Sequence, residues 1–218
     1  SKSLLQESGL DFEKKEQIIY FADTADHSLF TKEKVLIRMR WSNEGLDVVV
    51  KKREMTPEDI AYVDTHFSQD IDHGIKLEID QISENNKTVS CSLRHFVPNI
   101  HQSFPFSKSP VHLMTDLQKD FIHHFSNHKI RELRYLIPIK SKVCSFPHHY
   151  KELENLTLSQ WTIPHLYNNK IHEISMKTLS YNDETISHFL KYMDELKVFV
   201  NNDGMFKTNR VYQTYFGI

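Results

Sequence analysis

Apolar and polar positions change period several times along this chain, and each change predicts an element. Ser3 to Glu7 reads as the end of a helix. Phe12 to Asp23 holds the β-branched and aromatic run Ile18-Ile19-Tyr20-Phe21, which predicts a strand. Val35 to Trp41 predicts a second strand, Ser42-Asn43-Glu44-Gly45 a turn, and Leu46 to Arg53 the returning strand of a hairpin. Thr56-Pro57-Glu58-Asp59 is a helix start: a capping hydroxyl, a proline at the first turn, then acids against the positive end of the helix dipole. Ile60, Val63 and Phe67 then share one helical face. Ile75 to Ile82 alternates, with Ile75, Leu77 and Ile79 on one side and Lys76, Glu78 and Asp80 on the other.

Asn85-Asn86 turns the chain into a strand from Thr88 to Phe96, and Pro98, Pro105 and Pro110 bracket a loop. Leu113, Leu117 and Phe121 predict a helix. Arg131 to Val143, Leu156 to Ile163 and Lys170 to Thr178 read as strands. Asp183-Glu184 opens a last helix with Ile186, Leu190 and Met193 on one face, and Phe206 to Phe216 reads as a closing strand. About eight strands with mostly short connections favour antiparallel pairing over β-α-β crossovers.

Composition narrows the function classes. The chain has 218 residues, 39% hydrophobic and 26% charged, which is globular and long enough for its own core. Residues 1–218 are read as a single domain. With 27 basic against 29 acidic residues the net charge is -2, so a global positive field for nucleic acid is absent. No apolar run reaches the ~20 residues of a membrane span, and no signal peptide is read in the chain, so a cytoplasmic protein is expected. Five glycines form no phosphate-cradling loop. Cys91 and Cys144 cannot build a zinc quartet, and Cys144 has no partner motif for catalysis. The 14 histidines, including His123-His124 and His148-His149, show no metal-ligating spacing.

The informative feature is the charge on alternate strand positions. Arg38 and Arg40 project from one side of their strand, as do Lys51 and Arg53, Lys76, Glu78 and Asp80, and Glu173 and Lys177. The opposite sides carry Ile37 and Met39, Ile75, Leu77 and Ile79, and Ile174 and Met176. One such strand is an ordinary half-solvated strand. Several together predict a closed sheet with a wet, charged interior, because burying so many charges dry would cost several kcal/mol each. Arginine forks suit phosphate oxygens, and carboxylates suit Mg²⁺ or Mn²⁺.

These motifs, in their order, resemble the CYTH or triphosphate tunnel superfamily, which includes thiamine triphosphatases, inorganic triphosphatases and class IV adenylate cyclases. Tyr20-Phe21-Ala22-Asp23-Thr24 is similar to the family's Tyr-Phe-Asp-Thr segment with Ala22 inserted. Leu29 followed by Arg38-Met39-Arg40 resembles its leucine and Arg-x-Arg strand. Val48 to Arg53 resembles the strand with a phosphate-binding lysine. His172 to Lys177 resembles the Glu-x-Glu metal strand, and Phe206-Lys207-Thr208-Asn209-Arg210 the closing Ser-Lys-x-x-Arg motif.

The resemblance implies an α+β fold: an eight-stranded antiparallel β-barrel, or tunnel, with helices packed outside, the family's first-strand motif not being evident in this chain. It implies a small-molecule triphosphate or polyphosphate as ligand. Arg38, Arg40, Lys51, Arg53, Lys177, Lys207 and Arg210 would grip the phosphates, with Arg131 or Arg134 adding to them. Glu78 and Glu173 would serve catalysis, and Glu78, Asp80 and Glu173 would hold Mg²⁺ or Mn²⁺. The implied reaction is metal-dependent hydrolysis of inorganic triphosphate, thiamine triphosphate or a nucleoside triphosphate. The alternative is a catalytically degraded module that binds a polyphosphate, nucleotide or protein partner. It is raised because Ser175 stands where the second glutamate belongs and the family's Glu-x-Glu-x-Lys strand, expected before the first helix, is not evident in this chain.

Overall fold

A computed structural model describes residues 13–67, 74–83, 86–98, 100, 109–146, 156–164, 170–177, 184, 186–189, 191, 205 and 207–217. The expected helix end at Ser3 to Glu7 and most of the loop between Pro98 and Pro110 lie outside them. So do Asp183, Leu190 and Met193 of the last predicted helix, whose residues 184, 186–189 and 191 are helical.

Eight strands are present: β1 Glu13–Asp23, β2 Val35–Ser42, β3 Gly45–Lys52, β4 Ile75–Ser83, β5 Asn86–Pro98, β6 Arg134–Phe146, β7 Leu156–Thr162 and β8 Lys170–Met176. Their order in the sheet is β4-β5-β3-β2-β1-β6-β7-β8. The registered pairs are antiparallel, as the short connections predict. The helices are α1 Ser28–Thr31, α2 Pro57–Phe67, α3 Asp116–Phe125 and α4 Lys207–Phe216. The α+β class and the strand count expected from the sequence are those observed.

The chain divides into two compact units, Ser1–Gln17 with Lys140–Gly217, and Ile18–Ile139 with Ile218. Strands β1 and β6 each pass from one unit into the other.

In the 18–139 unit, the alternation read from the sequence becomes two unlike faces. Ile37, Met39, Val48, Val50, Cys91 and Leu93 join one buried cluster with Val63 and Phe67 of α2 and Phe121, Ile122 and Phe125 of α3. The helices therefore cover the apolar side of β2, β3 and β5, and the charges are left on the other side. Helix α3 is pinned by its own polar start. Thr115 and Gln118 form a reciprocal capping box. The buried Gln118 amide then donates to the backbone oxygens of Val48 and Leu93, both at 3.1 Å, which ties the helix to β3 and β5. The hairpin between β2 and β3 closes at Gly45 with φ 144°, where a Cβ would come within 2.3 Å of the Val97 oxygen.

Where α2 meets α3, the Tyr62 ring stacks on His66 at 4.0 Å and on His124 at 3.3 Å. Burial and the neighbouring His66 push His124 below its ordinary value, against the pull of Asp59. The folded protein thus takes up this proton less readily than the unfolded chain. Its contribution to stability is present above about pH 6.5 and is lost as the pH falls below that. The drop in melting temperature from about pH 7 to about pH 5 is expected to be smaller in His124→Phe than in the parent. Equal drops in a thermal unfolding series would show that His124 does not carry this dependence.

In the other unit, β6, β7 and β8 are followed by α4. The expected closing strand from Phe206 to Phe216 is instead the helix Lys207–Phe216. Thr208, Val211 and Tyr212 are buried, and Tyr215 and Phe216 half-buried. That is a spacing of three and four, which fits a helix and not a strand. The aromatic and β-branched content of Val211 to Phe216 resembles a strand, and the burial period overrode it.

Candidate functional site

The charged face of the 18–139 unit is built by register. In the β2–β3 hairpin Arg40 lies opposite Asp47 and Arg38 opposite Val49; β5 then places Arg94 opposite Val49 and Ser92 opposite Lys51. β4 adds Lys76 opposite Ser92 and Glu78 opposite Ser90. All these residues share one side because partners across antiparallel strands point the same way. Arg53, just past β3, has the same parity. Six cations therefore meet three carboxylates on this face among the described residues: Arg38, Arg40, Lys51, Arg53, Lys76 and Arg94 against Asp47, Glu78 and Asp80.

Two local networks divide most of that charge. Asp47, only 6% exposed, accepts from Arg40 Nε at 2.9 Å and is also paired with Arg94 through its other oxygen. Burial raises the Asp47 carboxyl, but Arg40 and Arg94 outweigh it and hold it below the usual carboxylate range. On the neighbouring strands, Lys51 Nζ lies 2.8 Å from Asp80 Oδ2 and 3.1 Å from Glu78 Oε2. Lys76 Nζ lies 2.9 Å from the other Glu78 oxygen, and Ser90 Oγ donates to Asp80 at 3.1 Å. Burial again opposes ionisation of Glu78. Lys51 and Lys76 overcome it and bring the carboxyl down to about 2, so Glu78 is an anion at neutral pH and no proton donor.

Arg38 stands apart from both networks. It lies mid-strand in β2, opposite Phe21 on one side and Val49 on the other. Its Nε is buried with no hydrogen-bond partner. Burial, with Arg40 and Arg53 beside it, lowers its guanidinium to about 9, which still leaves a cation at neutral pH. A buried, charged donor without a partner is costly and needs an explanation. An anionic ligand supplies one.

Of the other expected phosphate contacts, Arg134 and Arg131 both line one cavity of about 560 Å³ with Thr24, Asp26 and His128. Glu173 lies on β8 in the other unit and accepts from Ser159 Oγ at 3.2 Å. Lys177 follows β8, and Lys207 and Arg210 belong to α4. The structure thus brings Arg38, Arg40, Lys51, Arg53, Glu78 and Asp80 onto one face, and places Glu173, Lys177, Lys207 and Arg210 in the other unit.

Sequence reasoning missed Asp47 and Arg94. The first was within reach: a hairpin closing between Ser42 and Gly45 puts residue 47 opposite residue 40. The second lay in the alternation of Ser90, Ser92 and Arg94 against Cys91 and Leu93. Cys91 is fully buried on the apolar side, and burial, with Glu78 nearby, pushes its thiol up to about 12, so it is no nucleophile.

A resident divalent metal does not fit this face by itself. No three histidine, cysteine, aspartate or glutamate side chains come together as ligands among the described residues. Glu78 and Asp80 already share the Lys51 ammonium.

Solved structures identify the architecture. Over 97% of this chain and 89% of the other, it is similar at 12% identity and TM-score 0.59 to a candidate adenylyl cyclase of Hippeastrum, described as having a dominant triphosphatase activity. The fold is CYTH-type. A candidate adenylate cyclase of Bacillus halodurans shares this CYTH-type fold at 11% identity and TM-score 0.55, over 93% of this chain and 83% of that one. No protein-family model and no curated protein matches the chain. Among the described residues no helix is long and apolar enough to cross a membrane.

Proposed function

We propose that this chain binds a triphosphate along the charged face of β2, β3, β5 and β4 and hydrolyses its terminal phosphoryl group. The observation that carries the proposal is Arg38, whose buried Nε lacks a partner in the middle of a face with excess positive charge. The CYTH-type fold, with a triphosphatase among its structural neighbours, supports the class of substrate. Inorganic triphosphate, thiamine triphosphate and nucleoside triphosphates all present the same chain of phosphoryl oxygens to these cations.

Arg38, Arg40, Lys51, Arg53 and Arg94 would hold the phosphates by charge-assisted hydrogen bonds. Binding would redirect Arg40 and Arg94 from Asp47, so the carboxylate keeps both guanidiniums oriented until phosphate arrives. Positioning and charge stabilisation of the phosphoryl group would supply most of the rate. Among the described residues the face gathers no three metal-ligating side chains, so Mg²⁺ or Mn²⁺ would enter as the counter-ion of the triphosphate and belong to the substrate. Arg134, in the same unit, is proposed as a further phosphate contact; phosphate contact by Lys177, Lys207 and Arg210, and a carboxylate role for Glu173, stay proposals from the family resemblance alone.

The neutralisation of Glu78 and Asp80 by lysine favours a second outcome, binding without turnover. Both are judged by phosphate release from inorganic triphosphate, thiamine triphosphate and ATP with Mg²⁺ or Mn²⁺, alongside calorimetry. Release above that of the Arg38→Ala/Arg40→Ala protein is the expected result. Heat of binding without release selects the non-catalytic module. Neither release nor binding would refute both.

A further inference from the structure

We propose that the Lys51 ammonium occupies the cation position of the Glu78–Asp80 pair, so that triphosphate binding to this face requires no divalent metal. The inference rests on the triphosphate reading given above. Glu78 and Asp80 stand two apart on β4 and point the same way, which is the placement that could offer two oxygens to a hard cation. The space between those oxygens is already held. Lys51 Nζ is 3.1 Å from Glu78 Oε2 and 2.8 Å from Asp80 Oδ2, and its side chain is only 13% exposed.

Two further donors bond this pair, one at the other Glu78 oxygen and one at the Asp80 oxygen that Lys51 already holds. Lys76 takes Glu78 Oε1 at 2.9 Å, and Ser90 Oγ donates to Asp80 Oδ2. A magnesium ion bound to the same oxygens at about 2.1 Å would meet the ammonium at close range, with like charges repelling across a half-buried site. Ammonium and divalent ion therefore exclude one another.

Charge points the same way. Lys51 and Lys76 neutralise the two carboxylates, Asp47 is outnumbered by Arg40 and Arg94, and Arg38 adds a further positive charge. A face that is cationic before any metal arrives attracts a polyanion directly. It repels a free divalent ion.

The test has two arms. In the first, inorganic triphosphate is titrated calorimetrically into the full chain, once with EDTA and once with Mg²⁺. The expected dissociation constants agree within about threefold. Binding seen only with Mg²⁺ would overturn the inference and leave triphosphate recognition standing; no binding under either condition would sink triphosphate recognition itself.

The second arm needs no phosphate. Mn²⁺ binding is followed by electron paramagnetic resonance in the parent, Glu78→Gln/Asp80→Asn, Lys51→Ala, Lys51→Met, and each Lys51 variant combined with the double change. The parent and the double variant should bind Mn²⁺ alike, and removal of the Lys51 ammonium should add a Mn²⁺ site that the double change abolishes. Mn²⁺ bound by the parent and lost in Glu78→Gln/Asp80→Asn overturns the inference, whether or not the Lys51 variants fold. No added site in a folded Lys51→Met protein overturns it too.

Discussion

Arg38→Met is expected to weaken inorganic triphosphate binding by about 30- to 1000-fold, equivalent to about 2–4 kcal/mol for a partly buried charge-assisted contact. The same change is expected to raise the melting temperature of the unliganded protein. Burial, Arg40 and Arg53 all disfavour the Arg38 cation in the fold, and its Nε has no hydrogen-bond partner there. A group whose folded pKa is lowered to about 9 costs stability throughout the range below that pH, where the fold holds the cation against its preference. Methionine keeps an unbranched apolar stem and removes the charge. Function and stability then pull in opposite directions, as they do where a site is kept strained for its ligand. Calorimetry and thermal unfolding of the same preparation check both halves. A variant that melts lower and binds as the parent does would make Arg38 a structural residue.

Phe121→Ala is expected to cost about 3–5 kcal/mol of unfolding free energy, the range for truncating a buried aromatic. Phe121 is fully buried in α3, with its ring 5.7 Å from Phe67 and 4.7 Å from Phe125. Those contacts hold α2 and α3 against the apolar side of β2, β3 and β5. The vacated space is bounded by residues fixed in helices and strands, so the site has little room to collapse. Urea denaturation measures the loss. A cost under about 1 kcal/mol would mean that the helices shift to refill the space and that the layer is less tightly packed than its burial indicates.

Much of the charged face was legible before any coordinates. A strand's period of two is strict, so Arg38 with Arg40, and Glu78 with Asp80, had to share a side wherever those strands went. Ion-pair partners were another matter. Lys51 reaches Glu78 and Asp80 only because β5 separates β3 from β4 in the sheet, and nothing local in Ile75 to Ile82 states that order. The expectation that Glu78 and Asp80 help hold a divalent metal came from the family resemblance and the suitability of carboxylates for hard cations, and cross-strand geometry sets Lys51 beside both carboxylates. The closing helix was misread for a related reason. Val211, Tyr212, Tyr215 and Phe216 have strand-like side chains, and only the burial of Thr208, Val211 and Tyr212 shows which period the chain obeys.

What the order of residues determined, then, is the set of strands, their antiparallel class, the apolar and charged side of each, and a composition suited to a polyanion. These follow from backbone stereochemistry and solvation, which act over a few neighbouring residues. Only the tertiary structure decided which opposite charges satisfy one another, that Asp47 and Arg94 belong to the face, and that Arg38 Nε is left without a partner. Those outcomes depend on strand order and burial, which bring together side chains dozens of residues apart.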